Sequence, residues 1–452
     1  MTRRILGYTL LGLPLAISLS ANSFAAMGNS PSIYGAMPHD VATAQSLSLF
    51  NGQAAAVYYN PAALAKSKRG QLTGGIFHAE HSLEAETVRG TDAAPERDGS
   101  VLQDTPSQQL SAGIVIDGSK MTSFNHPIYF GLMLSAEKFI KQLLVIDSET
   151  TSQGQFLRYG RQPLLLNLGV GTQIWRGLDF GASVLVTFQN EADLYVRSDL
   201  AGNTKDERLG VDAGPSFQPS FGMNFNLGET FCPESDCWMD GLELAAAYRF
   251  SSKTKINVGA ETEINGVIND PGLQLDIFTI DSFQPTTITM GMQYSWDYVK
   301  LGFTAEYQDW DELRHEFKGD TVRDQANAQF KSIVIPRIGA TWEIVDRITL
   351  KTGISYEESP LKEGGTLNAN YLDTDRVVFG VGFASYEPYL PLMAYPVLVE
   401  LGYQYHHLIS REFDLFSNNP DTNPNAPAQT YYETVEAKGG VHVISGAVTV
   451  QF

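Results

Sequence analysis

Long runs in which apolar and polar residues alternate one by one constrain this chain more than any other feature. From Leu178 to Gln189, one face reads Leu178, Phe180, Ala182, Val184, Val186 and Phe188, while Asp179, Gly181, Ser183, Leu185, Thr187 and Gln189 form the other. Val299, Leu301, Phe303, Ala305 and Tyr307 likewise oppose Lys300, Gly302, Thr304, Glu306 and Gln308, and Ile348 to Glu357 repeats the pattern. Successive side chains of a strand point to opposite faces, so each run reads as a strand with one greasy and one mostly polar side. Charges opposite aromatics in this many runs do not suit a two-sided soluble core. They suit a wall with lipid outside and a polar lumen inside. No stretch beyond the first 26 residues offers the roughly 18 consecutive apolar residues of a spanning helix, so entry into a bilayer requires a closed barrel.

The alternation predicts an all-β transmembrane barrel of fourteen antiparallel strands, near 70–80, 108–117, 127–139, 163–175, 177–190, 215–228, 241–258, 283–296, 298–310, 332–344, 347–357, 375–386, 396–409 and 432–452. An even count returns both ends to the periplasmic side. Connections are tight at Trp175-Arg176-Gly177, Trp296-Asp297 and Val345-Asp346-Arg347, and long around 82–106, 190–214, 259–282 and 410–431, which matches short periplasmic turns and long outer loops. Trp175, Trp296, Tyr298 and Trp342 stand beside the tight turns, where an aromatic girdle belongs. Between 215 and 260 the count has an alternative, with Lys253 to Val258 as a separate strand.

The N-terminus sets the compartment. Arg3 and Arg4, the apolar run Ile5 to Leu19 and the small residues Ala21 to Ala26 form a secretory signal, which divides the chain into a signal (1–26), a plug (27–68) and a barrel (69–452). Removing its two arginines, its only charged residues, takes the formal charge from −20 to −22. Acidity of that size argues against nucleic acid as a partner. The stretch Asn51 to Ala65 is apolar and Ala-rich without being strand-like, and Asn60-Pro61 breaks it, since Pro61 lacks a backbone donor and pushes Asn60 out of the helical region. It is expected to lie inside the barrel as a plug. At the other end, an alternating strand finishes on Phe452, which looks like the signal read by the outer-membrane assembly machinery. The expected location is the outer membrane of a Gram-negative bacterium.

Individual constellations have structural readings. Cys232 and Cys237 are expected to form a small disulfide that clips a turn in an oxidising compartment. His78 and His81 point to opposite faces of a strand, as do His406 and His407, so neither pair makes a metal site. Asp309/Asp311 and Glu357/Glu358 read as solvated or cation-bridged groups at outer strand ends. Glu137, Asp179, Glu243, Arg249, Lys300, Glu306, Arg337, Lys351 and Glu400 fall on luminal faces, where an ion-pair network is the first expectation. Alternatively, Arg249, Arg337 or Lys351 meets a ligand carboxylate. No Ser/His or Asp/His set shares a level of the barrel, so an outer-membrane lipase or protease is disfavoured. No cofactor or metal is expected.

Several segments resemble one family, the FadL/TodX outer-membrane transporters of hydrophobic compounds. The carriers are Tyr59-Asn60-Pro61-Ala62-Ala63-Leu64, the run Val299 to Leu313 with Glu306-Tyr307-Gln308-Asp309-Trp310, Ile348 to Pro360, Asp373-Thr374-Asp375-Arg376 with Val377 to Tyr386, and the terminal strand. The resemblance implies a fourteen-stranded barrel whose N-terminal hatch carries Asn60, Pro61 and Ala62 beside an inward kink in the third strand. That strand would be Ile128 to Phe139, kinked at Gly131 or Ser135, and would let a ligand leave sideways into the membrane. Long-chain fatty acids, alkanes and aromatic hydrocarbons all fit, with membrane lipid and lipopolysaccharide as neighbours and a monomer as the expected state. The loop 190–214 lacks the apolar pattern of a capture groove. The loop 259–282, with Ile264, Val267, Ile268, Leu273, Leu275 and Ile277, offers either capture or a strand extension beyond the membrane. The rival class is a general porin for small hydrophilic solutes, against which the apolar plug argues.

Overall fold

The computed structural model describes residues 28–90, 98–99, 106–119, 126–138, 144–145, 156–158, 164–188, 190–197, 207–213, 215–232, 237–264, 268–317, 329–362, 365–366, 371–387, 395–417 and 430–452. The secretory-type segment 1–26 lies outside the described residues. Fourteen strands make the wall: β1 Gln71–Gly90, β2 Ser107–Asp117, β3 Ile128–Lys138, β4 Leu164–Trp175, β5 Leu178–Phe188, β6 Ser216–Asn226 and β7 Leu242–Arg249. Then come β8 Thr286–Ser295, β9 Val299–Asp309, β10 Ile333–Val345, β11 Ile348–Glu357, β12 Arg376–Glu387, β13 Val397–Ser417 and β14 Thr430–Gln451. Each pairs antiparallel with the next, and β14 returns to β1, with Gln71 opposite Gln451. Closure leaves no sheet edge to carry unpaired backbone groups into lipid.

The alternation decides which side each residue takes. On β9, Leu301, Phe303 and Tyr307 are exposed on the outer wall while Thr304, Glu306 and Gln308 are buried within. Trp175, Trp296, Tyr298 and Trp342 are exposed near the periplasmic turns, where amphipathic rings suit the headgroup region. The left-handed Gly177, φ 73°, makes the β4–β5 turn two residues long.

The chain departs from the expected layout in three places. The strand read through residue 258 stops at Arg249, and Ser252–Ile264 pairs instead with Ile268–Gln284 as a separate hairpin, so the described residues of the 259–282 region are in strands. Periplasmic connections are not all tight: between β6 and β7 the chain forms the short helix Leu227–Phe231, and Cys232 is joined to Cys237. Glu357 is not a solvated rim group. Its place in the alternation turns it into the lumen, where it is buried and ion-paired with Arg376. Its neighbour Glu358 meets Lys331, and Asp311 meets Arg314.

Residues 28–69, with short helices at Ser30–Ile33, Pro38–Ala42 and Ala56–Tyr59 and 3-10 turns at Ser48–Phe50 and Pro61–Lys66, pack against the inner faces of the strands. Its turns are too short to be stable alone. Contacts with the wall hold them.

Candidate functional site

Asn60 is the joint of this inner segment. It ends the Ala56–Tyr59 turn and, with extended backbone (φ −157°, ψ 97°), caps the Pro61–Lys66 turn, with Pro61 at the first position, where a missing N–H is harmless. Its Oδ1 accepts the Ala62 N–H at 3.1 Å, and its Nδ2 donates to the Leu49 carbonyl at 2.9 Å and to Asn224 Oδ1 at 2.6 Å. Asn60 is fully buried, so these bonds replace water that cannot reach it. The two tyrosines before it stitch the segment together. Tyr59 Oη donates to the Pro31 carbonyl and accepts the Ala36 N–H, while Tyr58 Oη donates to Asn29 Oδ1 and accepts from Arg249 Nη1 at 2.8 Å. The Arg249 guanidinium also lies 4.0 Å from the Tyr58 ring centroid, a cation–π contact.

The seat for the segment is built of glycine. Gly171, Gly181 and Gly222 lie directly opposite one another across β4, β5 and β6, and a Cβ on any of them would overlap Asn60 or Pro61. A second row, Gly302, Gly339, Gly353 and Gly380, crosses β9 to β12 in the same way under Val41–Leu47. Only a residue without a side chain lets two backbones approach this closely. Over the second row the chain turns through Ala44 (φ 46°) and Gln45 (φ 63°), left-handed positions that non-glycine residues seldom take. Asp40 holds that turn, accepting the Met37 N–H at 3.0 Å and the Ser48 hydroxyl at 2.6 Å. These glycine rows are invisible when each glycine is read as a strand breaker. The recoverable signal is a luminal-phase glycine near the middle of strand after strand.

The expected neighbour of Asn60-Pro61-Ala62 was β3, and the structure places the element on β4–β6 instead. Gly131 does touch the segment, through Val57 and Leu64. Ser135 is buried on the luminal face, opposite Ser111 and Leu165. No register shift interrupts the ladders of β3 with β2 or β4.

Two sectors of lumen differ in polarity. On β2 to β5, Val115, Tyr129, Met133, Leu165 and Leu185 join Ala54–Tyr59 and Leu64 in one buried apolar cluster. On β9 to β13, Arg337 meets Glu306 at 3.3 Å, and Lys351–Glu400 and Arg376–Glu357 are paired. The three cations named as ligand-carboxylate candidates are therefore not together. Arg249 and Arg337 flank the Glu306 level, whereas Lys351 lines a cavity of about 670 Å³ on the periplasmic side, with Lys66, Glu243, Lys300 and Glu400. His81 meets Tyr34 Oη at 2.9 Å, whereas His78 bonds Glu80 on the outer face. Among the described residues no cluster of three or more His, Cys, Asp or Glu could hold a metal.

Comparison with known proteins places this architecture. The chain is 44% identical over 97% of its length, and 94% of the relative's, to alkane uptake protein A of Marinobacter nauticus. Its fold is similar to that of a Pseudomonas aeruginosa FadL homologue (TM-score 0.65, 13% identity, 96% of this chain and 100% of the other). It is also similar to that of the Pseudomonas putida toluene transporter TodX (TM-score 0.55, 14% identity, 93% and 99%). The family model for outer membrane protein transport proteins matches residues 15–452. The chain belongs to the OMPP1/FadL/TodX family of outer-membrane transport proteins.

Proposed function

We propose that the protein is a passive uptake channel for hydrophobic compounds, with alkanes as the substrate class, in which residues 27–68 act as a hatch and the ligand leaves sideways into the membrane. The observation that carries this reading is the contrast between the inner segment and the space below it. Its middle, Ala54–Leu64, belongs to an apolar cluster with the wall, whereas below it lies the cavity bounded by charged side chains. An alkyl chain moved into that cavity loses about 25 cal/mol for each Å² of apolar surface wetted. Sideways transfer into lipid avoids the loss.

The 44% relative is named for alkane uptake, and the placement of the cations agrees with an uncharged ligand. Arg249 is engaged by Tyr58, Arg337 by Glu306 and Lys351 by Glu400. In this reading the chain works as a monomer with Asn60, Pro61 and Ala62 as the gating joint. Phe452, whose N–H bonds the Gly70 carbonyl at 3.0 Å, is the residue read by the outer-membrane assembly machinery before the barrel closes.

The test is uptake of radiolabelled n-hexadecane, palmitate and toluene in cells without their own transporter. Hexadecane uptake above the other two, lost in Asn60→Ala at equal outer-membrane abundance, is the expected result. Passage of small hydrophilic solutes alone, indifferent to Asn60, would leave a general porin.

A further inference from the structure

The chain carries a formal charge of −20, yet the cavity of about 670 Å³ on its periplasmic side is lined by more cations than carboxylates. Two of those cations are neutralised in place. Lys66 is paired with Glu243, and Lys351 with Glu400, whose second oxygen accepts Gln53 Nε2 at 2.8 Å. The remaining charged lining groups are Lys68, Arg69 and Lys300 against Glu343, and Arg69 lies 4.0 Å from the Tyr395 ring centroid. The basin therefore keeps an excess of positive charge inside an acidic protein.

Strand register gathers that charge. Lys300, Thr341 and Lys351 stand directly opposite one another across β9, β10 and β11, in the luminal row next to Gly302, Gly339 and Gly353 on the periplasmic side. The two lysines start two strands apart, about 10 Å, with Thr341 between them. The inner segment closes the other side. Its Pro38–Ala42 helix brings His39, and the turn over the glycines brings Leu47, to the same cavity. His39 Nε2 is buried with no hydrogen-bond partner among the described residues. Burial, and then the charges of Lys351 and Lys300, hold its imidazole well below the usual histidine range. The positive field of the wall thus reaches the inner segment across the cavity.

We infer that this cavity binds a small oxyanion on a polar body, the class of a phosphate ester, drawn from the periplasm and held between Lys300 of the wall and His39 of the inner segment. Lys300 supplies charge-assisted hydrogen bonds. His39 Nε2 accepts from a ligand hydroxyl while the ring is neutral, and donates to the oxyanion once the ring is protonated. The volume lies in the range of small-molecule sites, and Gln53, Gln293, Thr341 and Thr349 offer amide and hydroxyl partners to the rest of the ligand. A bound anion touches both surfaces, so it ties the inner segment to β9–β11 and makes the seating of that segment responsive to a periplasmic solute. This site is separate from the apolar cluster and independent of the way in which a hydrophobic compound leaves.

Glycerol phosphate, glycerate and glycerol are similar in body and differ in charge, which makes them suitable probes. Each is titrated into the purified full-length barrel, isotope-labelled in its histidine rings, and the His39 signal is assigned by its absence in His39→Gln. That signal is expected to shift saturably with glycerol phosphate, more weakly with glycerate and not at all with glycerol. Lys300→Gln should weaken the binding of glycerol phosphate about tenfold, the worth of one charge-assisted hydrogen bond, and Lys300→Arg should retain it. Lys300 is exposed, so neither change disturbs packing. Lys331→Gln, at a lysine paired with Glu358 on the outer rim, should leave the affinity unchanged. Hydrogen exchange at Pro38–Leu47 should slow in the bound protein. A His39 signal that stays still, or drifts without saturation, would overturn the site. Equal affinity in Lys300→Gln, or an equal loss in Lys331→Gln, would mean attraction to surface charge alone and overturn it too. An equal response to glycerol would remove the oxyanion as the group recognised.

Discussion

The inner segment meets the wall over two glycine rows, and everything around those rows differs. On β4–β6 the row lies among Leu165, Leu185 and the amide and hydroxyl groups of Asn167, Thr187, Gln218 and Asn224, and the segment is tied there by Asn60 to Asn224 and by Ser183 Oγ to the Val57 carbonyl at 2.6 Å. On β9–β12 the row is flanked by Arg337–Glu306, Lys351–Glu400 and Arg376–Glu357. Those charges pair within the wall, and the segment borrows little from them beyond Gln53 to Glu400 and the Ser46 carbonyl to Thr304 Oγ1. The lesson is a division of labour: charge stiffens one half of the barrel, while shape and grease hold the segment in the other. A hydrophobic ligand competes for contacts of the second kind and leaves the first untouched.

The contrast is broken most severely at Glu306. Glu306→Gln removes the counter-charge of buried Arg337 and is expected to lower barrel stability by about 3–5 kcal/mol, seen as a lower temperature of conversion to the unfolded band on gels. Breaking the other side calls for bulk. Gly181→Val drives a side chain into Pro61, an overpacking effect of about 1–3 kcal/mol or more. The outcome to look for is release of the segment, read as protease cleavage within residues 28–69 and higher conductance in planar bilayers, with the barrel still closed. Asn60→Ala is milder, at about 1–3 kcal/mol for the groups left unpaired. Hydrogen exchange should quicken at Ala56–Lys66 and stay unchanged at Pro38–Ser48.

Acidity sharpens the comparison with the smallest effect. Burial pushes the Asp40 carboxyl up to about 7. A native pKa raised above the unfolded one means that Asp40's contribution is complete below the ordinary carboxyl range and is lost as pH rises through about 7. The turn over β9–β12 should therefore exchange faster at about pH 8 than at about pH 5, and Asp40→Asn should flatten that dependence. An equal pH response at Ala56–Lys66 would tie the two rows together and defeat the division.

Much of this was legible in the chain. Strict alternation located all fourteen strands because each luminal position needs a polar or small residue and each outer one needs grease. The end of β7 was not legible, since Lys253 to Val258 alternates as well off the wall as on it. What bears on it is Pro219, one ladder position beyond Arg249 in space and thirty residues from it in sequence, and no local pattern registers a partner's missing donor. Asn60-Pro61 was recognisable as a joint from its backbone chemistry. Its position over β4–β6 was not, because that depends on which glycines face which others across strands. Glu357 stands in the luminal phase of its run, but its burial was not legible, because that depends on Arg376 directly opposite it across β11 and β12.

The two glycine rows also act as a mould. The contour of the inner segment is recorded in the wall as a waist-level band from which side chains have been omitted. Deleting residues 30–66 would leave that waist bounded by bare backbone and give a bore broader than a fourteen-strand wall lined with ordinary side chains. The same band that holds a greasy plug in place would become, once vacated, a smooth collar for a solute of quite different size and polarity.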